Sequence, residues 1–322
     1  MLSVIIPSYN EEGNILNTAS VVDKLLHEID HELIFVNDGS SDGTWARICE
    51  AAKIYKSVVG VNFSRNFGKE SAIFAGLKTA CGDACVLMDC DLQHPPQVIL
   101  QMYEVWKNND IEVVEGVKAD RGKENPLYRG MSKLFYRIIK NASGLDMSGA
   151  SDFKLLDRKA VDALSEMPER LTFFRAMSSW VGFRTEKVYF EVAERQTGES
   201  KWSIKSLMKY AVNSITSFTS APLHFVTVFG AILLAISAVF GVNTLYNKLA
   251  GHSEAGFSTV ILLQLITSSI LMISIGIIGY YISKIYEEIK CRPRFIISEI
   301  KRGGDVAAQK TQDSPEGNEQ HG

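Results

Sequence analysis

Cysteine is scarce in this sequence, and its five cysteines lack the spacing of a structural pair. Their number is odd among 322 residues, and no two of them follow the CxxC pattern. We therefore expect neither a disulfide framework nor a zinc site, and reduced thiols are typical of cytosolic proteins. The first residues also lack a basic segment followed by a long apolar run, so we expect no cleavable signal peptide.

A surplus of positive charge is absent as well. Lys and Arg number 34 and Asp and Glu 37, a net charge of −3, which argues against a protein that binds nucleic acid through bulk charge. The first predicted strand, residues 2–7, is not followed by GxGxxG, so a dinucleotide-binding fold is not favoured. Strand-like apolar runs instead alternate with helix-like segments. This alternation predicts an α/β fold with a mostly parallel sheet and helices on both of its faces.

Two long segments, 210–247 and 255–283, contain no charged residue. Because a bilayer core requires about 20 apolar residues in a helix, we predict transmembrane helices at about 225–246 and 257–282. Buried helices of a soluble protein are the alternative. Lys and Arg flank this pair on both outer sides, whereas the loop between them offers only Lys248. The positive-inside rule then predicts that both termini are cytoplasmic.

Regions around the predicted spans have their own patterns. Residues 203–222 are predicted to form an amphipathic helix on the membrane surface. Residues 285–322 form a cytoplasmic C-terminal segment, which we expect to be disordered from about residue 303 because it is rich in Gln, Gly, Glu and Asp.

One acidic motif stands where a buried strand is expected to end. The apolar run 84–88 leads into Asp89-Cys90-Asp91, and Pro95-Pro96 can open the next helix. Ligands of open α/β sheets bind at the carboxyl ends of strands. Two carboxylates with the amide of Gln93 are hard oxygen ligands suited to Mg²⁺ or Mn²⁺. An Asp-x-Asp alone is common, however, and both acids could simply cap a loop.

Six ordered stretches together are far more specific. They are VIIPSYNEE (4–12), VNDGSSDGT (36–44), SRNFGKESAIFAGL (64–77), MDCDLQHPP (88–96), SDFKLLDR (151–158) and RQTGESKW (195–202). With two C-terminal spans, the chain resembles the polyprenyl-phosphate glycosyltransferases of glycosyltransferase family 2, which include bactoprenol glucosyltransferases and dolichol-phosphate mannose synthases. The resemblance implies a Rossmann-like GT-A catalytic domain over residues 1–202, followed by the interfacial helix and the two spans at 223–284.

The resemblance also implies an activity: inverting transfer of a sugar from a nucleotide sugar to a membrane polyprenyl phosphate. The expected donor is UDP-glucose and the expected acceptor is undecaprenyl phosphate, and a GDP-mannose-dependent mannose synthase is the alternative. The expected partners are the nucleotide sugar, the lipid and the bacterial inner membrane, with no nucleic acid and with homo-oligomers possible. A processive polysaccharide synthase is disfavoured because QxxRW is absent. A transporter subunit is disfavoured because neither span contains an ionisable residue. A catalytically dead nucleotide-sugar sensor is disfavoured by the intact acidic motifs.

Residue roles carry over position by position. The resemblance implies a nucleotide-sugar pocket of Pro7, Tyr9, Glu11, Asp38 and Asp89; an Mg²⁺ or Mn²⁺ site of Asp89, Asp91 and Gln93; catalytic roles for Asp152 and Asp91; and phosphate contacts from Arg121, Arg129, Arg195 and Lys201. Several of these roles have a plain structural alternative. Asp38 could close a turn, Asp152 could flank a helix, Arg129 could lie on a solvated helix face, and Arg195 and Lys201 could be membrane-surface charges.

Overall fold

The structure is a computed structural model that describes residues 1–119, 151–167, 174–191, 221–251 and 256–304. These residues fall into two compact units. The first holds residues 1–119, 151–167, 174–191 and 292–304, and the second holds 221–251 and 256–291.

The first unit is built on an eight-stranded sheet. Its strands are β1 (Leu2–Ser8), β2 (His31–Asn37), β3 (Val58–Phe63), β4 (Ala84–Leu87), β5 (Val113–Lys118), β6 (Lys154–Asp157), β7 (Thr185–Phe190) and β8 (Ile297–Arg302). Their order is β7-β5-β6-β4-β1-β2-β3-β8. The pairs β1–β2, β1–β4, β2–β3 and β5–β7 are parallel, and β4–β6, β5–β6 and β3–β8 are antiparallel. The mostly parallel GT-A-like sheet that we predicted is therefore confirmed.

Helices follow most of the strands. They are α1 (Ile15–Leu25), α2 (Thr44–Ile54), α3 (Lys69–Thr79), α4 (Gln97–Asn108), α5 (Arg158–Glu166) and α6 (Phe174–Trp180). Strands β1 and β2 are almost wholly buried, as expected for strands covered by helices on both faces. Pro96 is the N-cap of α4, in agreement with the predicted helix opening.

The strand register brings several loops to one edge of the sheet. Ser8 at the end of β1 lies beside Asn37 at the end of β2, and Asn37 lies beside Asn62 near the end of β3. Strand β4 runs parallel to β1, so its carboxyl end reaches the same edge. Strand β6 is antiparallel to β4, and its first residues therefore start where β4 ends. The segment before β6 thus meets the loop after β4.

Strand β8 is not predicted by any pattern in the sequence. This strand follows the apolar helices, in the segment expected to form a separate C-terminal tail, and it pairs with the edge of β3. Gly303 donates its N–H to the Val58 carbonyl at 2.8 Å, so the pairing extends to the residue at which disorder was expected to begin. The expectation of disorder otherwise concerns residues from 305 onward, which lie outside the described ranges.

The second unit contains two long apolar helices, α7 (Ala221–Leu249) and α8 (Phe257–Ile289). By length and composition, Val226–Asn243 and Ile266–Ile289 are candidate membrane spans. Their apolar side chains lie on the surface: Val239, Val242 and Ile273 are 70%, 69% and 64% exposed. The core helices of a soluble protein would be buried instead. The predicted surface helix at 203–222 lies almost wholly outside the described residues.

Candidate active site

The shared edge of the sheet forms a cleft around the predicted acidic residues. Its lining comes from β1, α3, the loop after β4 and the segment before β6, and consists of Pro7, Lys69, Ile73, Leu87, Met88, Asp89, His94, Asp152 and Phe153. Three of the predicted site residues, Pro7, Asp89 and Asp152, therefore lie in one cleft. Tyr9 follows β1 and is 49% exposed.

A chain of ion pairs joins the two predicted acidic positions. The Lys69 ammonium lies 2.5 Å from Asp89 Oδ1 and 3.3 Å from Asp152 Oδ2. Arg175 donates two further hydrogen bonds to Asp152, from Nε at 2.7 Å and from an Nη at 2.9 Å. A bidentate contact of this kind fixes both the position and the plane of a carboxylate. Asp89, Lys69, Asp152 and Arg175 thus form one alternating cluster of charges.

These contacts determine the ionisation of Asp152. Burial raises the pKa of its carboxyl, but the hydrogen bonds and charges of Arg175 and Lys69 outweigh burial and hold that pKa well below its usual range. Burial likewise acts to lower the pKa of Lys69, and Asp89 and Asp152 reverse the effect so that this pKa is raised. Asp152 is therefore a carboxylate, and Lys69 an ammonium, throughout the physiological pH range.

The second acid of the motif has a different environment. Asp91 is exposed and accepts the Gln93 side-chain amide at 2.5 Å and the Gln93 backbone N–H at 3.2 Å. Leu92 between them has a φ of +54°, a left-handed conformation that is unfavourable for a branched side chain. Such strain is typical of functional loops. The turn holds Asp91 and Gln93 against each other at the mouth of the loop.

The carboxylate oxygens at this edge are of the type that divalent cations bind. Burial is the largest cause that raises the pKa of Glu11. The nearby charges of Asp91 and Asp89 raise this pKa further. Mutual repulsion of this kind is relieved by a cation. Within the described ranges no three His, Cys, Asp or Glu side chains are grouped to enclose an ion. Mg²⁺ commonly needs only one or two carboxylates when water and substrate phosphates complete its coordination.

Asp38 is held by backbone amides. Its carboxylate accepts the N–H of Phe67 at 2.7 Å and the N–H of Gly68 at 2.9 Å, in the loop that opens α3. The residue is 3% exposed, and burial raises its pKa although both amides act to lower it. Asp38 therefore ties the loop after β2 to the loop after β3, which is more than the closing of its own turn.

His94 forms an aromatic wall of the cleft. Its ring stacks on Phe153 with centroids 4.6 Å apart and meets Phe190 edge-on at 5.8 Å. Burial lowers the pKa of His94, although the charge of Asp89 opposes that effect, so the imidazole is neutral at pH 7. Its Nδ1 is the single buried side-chain nitrogen or oxygen that finds no hydrogen-bond partner within the described ranges. His94 is not among the site residues predicted from the sequence.

Three charged residues of this site are missing from the sequence prediction: Lys69, Glu70 and Arg175. Lys69 and Glu70 stand inside the SRNFGKESAIFAGL stretch, so the motif itself contained a signal. Glu70 accepts the N–H of Phe174 at 2.8 Å, at the first residue of α6. Arg175 belongs to no motif quoted above. The predicted phosphate ligands, Arg121, Arg129, Arg195 and Lys201, all lie outside the described residues.

Comparison with known sequences identifies the family. The pattern of "Glycosyl transferase family 2" matches residues 3–164, which include Lys69, Asp89 and Asp152 of the charge cluster but not Arg175. The chain belongs to glycosyltransferase family 2. The family membership that the six sequence motifs predicted is therefore confirmed.

Relatives extend the similarity well beyond the matched domain. The chain is 36% identical to an uncharacterized glycosyltransferase, YkcC, of Bacillus subtilis, over 92% of this chain and 93% of that protein. It is 35% identical to the bactoprenol glucosyl transferase of Shigella phage SfII, over 94% of this chain and 99% of that protein. Among solved structures, the glucosyl-3-phosphoglycerate synthase of Mycobacterium tuberculosis in complex with UDP aligns with a TM-score of 0.46 and 20% identity, over 67% of this chain and 79% of that one.

Proposed function

We propose that this protein transfers a sugar from a nucleotide sugar to a polyprenyl phosphate in a membrane. The observation that supports it most is the ion-pair cluster, in which Lys69 joins the motif acid Asp89 to the predicted catalytic residue Asp152 within one cleft. The similarity to bactoprenol glucosyl transferases over 94% of the chain favours undecaprenyl phosphate as acceptor and UDP-glucose as donor. The product is a lipid-linked sugar for modification of a cell-envelope glycan.

The proposed reaction needs little proton transfer. The acceptor phosphate is already an anion, and one of its oxygens attacks the anomeric carbon of the sugar. A new bond forms between that oxygen and the carbon, while the bond from the carbon to the diphosphate breaks, and the nucleoside diphosphate leaves with the electron pair. Attack from the face opposite the leaving group inverts the anomeric centre. Charge therefore shifts from the acceptor to the departing diphosphate, and cations placed near both stabilise the transition state.

Asp152 acts in this scheme as an ionised anchor. Because Arg175 and Lys69 hold its pKa far below the usual range, it is a poor proton acceptor near pH 7. Its two oxygens instead orient the guanidinium of Arg175 and share Lys69 with Asp89. Preorganised cations need not rearrange when negative charge develops on the substrate.

Asp89, Asp91 and Gln93 are the proposed ligands of Mg²⁺ or Mn²⁺, and the Gln93 amide also donates a hydrogen bond to Asp91. A bound divalent ion would supply Lewis-acid stabilisation of the leaving diphosphate. Glu11, the third acid at this edge, adds negative charge that strengthens the attraction for a cation. Pro7, Tyr9 and Asp38 are the proposed nucleotide contacts on the neighbouring loops.

The lipid acceptor explains the two apolar helices. Their exposed apolar surface requires a nonpolar surrounding, which a bilayer provides. We propose that α7 and α8 cross the inner membrane and that the catalytic unit lies in the cytoplasm, where nucleotide sugars are made available.

The test is transfer of radiolabelled sugar into an organic-extractable, mild-acid-labile lipid. Membranes that contain the protein receive a panel of donors, UDP-glucose and GDP-mannose included, with Mg²⁺ or Mn²⁺. We expect labelled lipid with at least one donor, and loss of label in Asp91→Asn and Asp152→Asn with folding retained. A wild-type protein that labels no lipid with any donor would refute the proposal.

A further inference from the structure

Residues 292–304 follow the second apolar helix and rejoin the sheet. Strand β8 pairs antiparallel with β3, the Ser298 hydroxyl donates to the Asn62 carbonyl at 3.0 Å, and the Ser64 N–H donates to the Ile296 carbonyl at 3.0 Å. The last of these bonds lies at the start of the 64–68 loop. The segment therefore supports the base of the loop whose far end holds Asp38.

Aromatic contacts carry this support along the loop. The Phe295 ring stacks on Phe63 with centroids 5.3 Å apart and planes 9° apart. Phe63, which is 3% exposed, meets Phe67 edge-on at 5.7 Å. The guanidinium of Arg65 covers the Phe67 ring at 4.8 Å. Phe67 is thus held by a continuous stack that begins on the segment after the membrane helices.

A hydroxyl provides a second link. The Ser71 Oγ in α3 lies 3.0 Å from the Phe67 carbonyl oxygen and 3.4 Å from the Arg294 carbonyl oxygen. The Arg294 guanidinium covers Phe74, one turn further along α3, at 4.6 Å from its ring centre. Arg294 and Phe295 therefore contact the loop and the helix that it opens.

The loop ends in the two amides that hold Asp38. The Phe67 and Gly68 N–H groups both donate to its carboxylate. Gly68 has a φ of +96°, which an L side chain rarely adopts, so these two amides converge only while the loop keeps this conformation. A shift of Phe67 would move an amide away from Asp38 and leave a buried carboxylate short of a donor.

We propose that Phe295 is a positioning residue for the nucleotide of the donor, acting through Phe63, Phe67 and Asp38. This inference rests on the proposed function, in which Asp38 contacts the nucleotide. It gives the segment after the membrane helices a part in the donor site, although that segment lies more than 120 residues beyond the family match at 3–164. A catalytic domain cut before the membrane helices would lack this part.

The experiment measures nucleotide affinity in the full-length, detergent-solubilised protein. The probes are UDP and GDP, each with Mg²⁺, measured by calorimetry. We expect Phe295→Ala to raise the Kd of the bound nucleotide about tenfold, the effect of losing one ordinary hydrogen bond. Phe295→Tyr keeps the ring and should restore the wild-type Kd. Ile300→Ala removes a 44% exposed side chain from β8, the strand that follows Phe295, and serves as the matched control with an unchanged Kd.

Ser71→Ala provides an independent variant in case Phe295→Ala does not fold. It removes only the hydroxyl between Phe67 and Arg294, and it should raise the Kd in the same direction. Wild-type protein that binds nucleotide, with Phe295→Ala or Ser71→Ala binding equally well, would overturn this inference alone. An equal loss in Ile300→Ala would also overturn it, since the effect would then reflect general damage to β8. Wild-type protein that binds neither nucleotide would overturn the proposed function as well.

Discussion

Replacement of Arg175 by alanine tests the arrangement of the site most directly. Arg175 makes a two-point contact with Asp152, whose side chain is only 14% exposed. Alanine would leave that carboxylate without its main partner while the rest of the cleft stays in place. The family pattern does not extend to residue 175, so this variant is suggested by the structure alone.

The expected size follows from the contacts. Removing one partner of a fully buried ion pair costs about 3–5 kcal/mol. The cost here should be smaller, because Lys69 remains 3.3 Å from Asp152 and because Arg175 is about one-third exposed. We expect the variant to lose about 2–3 kcal/mol of transition-state stabilisation, which corresponds to a decrease in kcat of about 30- to 150-fold.

The assay is single-turnover transfer of sugar to lipid phosphate, combined with a double-mutant cycle. Arg175→Ala, Asp152→Asn and the double variant should lose similar activity, because residues that act as one unit are strongly non-additive. Arg184→Ala is the matched control, since Arg184 forms its ion pairs with Asp110 and Glu112 at an exposed site outside the cleft. Full additivity in the cycle, or an equal loss in Arg184→Ala, would refute the reasoning.

Three further outcomes follow from the same geometry. Burial, with the nearby Asp152 charge, raises the pKa of Glu70 from 4.5 to about 7, so its ionisation destabilises the fold as pH rises through that interval. Glu70→Gln keeps an acceptor for the Phe174 N–H. In thermal unfolding this variant should be as stable as wild type near pH 4 and more stable than wild type at pH 8 by up to about 3 kcal/mol. Equal stability of the variant and the wild type at pH 8 would contradict this prediction. Gly39→Ala should destabilise by about 1–3 kcal/mol, because φ is +62° and the added Cβ would lie 2.3 Å from the Arg65 carbonyl carbon; Gly13→Ala, with open space around it, is the control in the same melt. Chelation by EDTA should abolish transfer and Mg²⁺ or Mn²⁺ should restore it, whereas full activity in EDTA would exclude the proposed metal role.

The sequence was sufficient to predict those elements whose structure is determined by a local pattern of residues. The apolar run before Asp89 predicted β4, and Pro96 predicted the start of α4. Asp38 and Asp89 were placed in one pocket only through the family resemblance, and the structure shows that they follow β2 and β4, the two strands on either side of β1. Asp152 was predicted only through family resemblance. Its proximity to Asp89 depends on the antiparallel placement of β6 beside β4, which no local pattern encodes.

The remaining parts of the site depend on contacts between distant segments. Arg175 lies in a short helix that carries no distinctive spacing, and its partner Asp152 is 23 residues away in sequence. Strand β8 is similarly hidden, because most of its residues are exposed and show no alternation of buried and exposed side chains. Its pairing is determined by the open edge of β3, which becomes apparent only when the sheet is assembled.

Strand β8 also constrains the proposed membrane arrangement of the chain. Residues before α7 and residues after α8 contribute strands to the same sheet, through β3 and β8. One sheet cannot be divided by a bilayer, so in the proposed membrane arrangement both outer ends of the helix pair emerge on the side where the sheet folds. The two proposed crossings satisfy this requirement, whereas a single crossing would not. The constraint from strand pairing is independent of charge, yet it agrees with the positive-inside prediction from the Lys and Arg residues that flank the pair. Reporter fusions should therefore place residue 2 and residue 304 on the same side, and fusions that report opposite sides would contradict the pairing of β8 with β3.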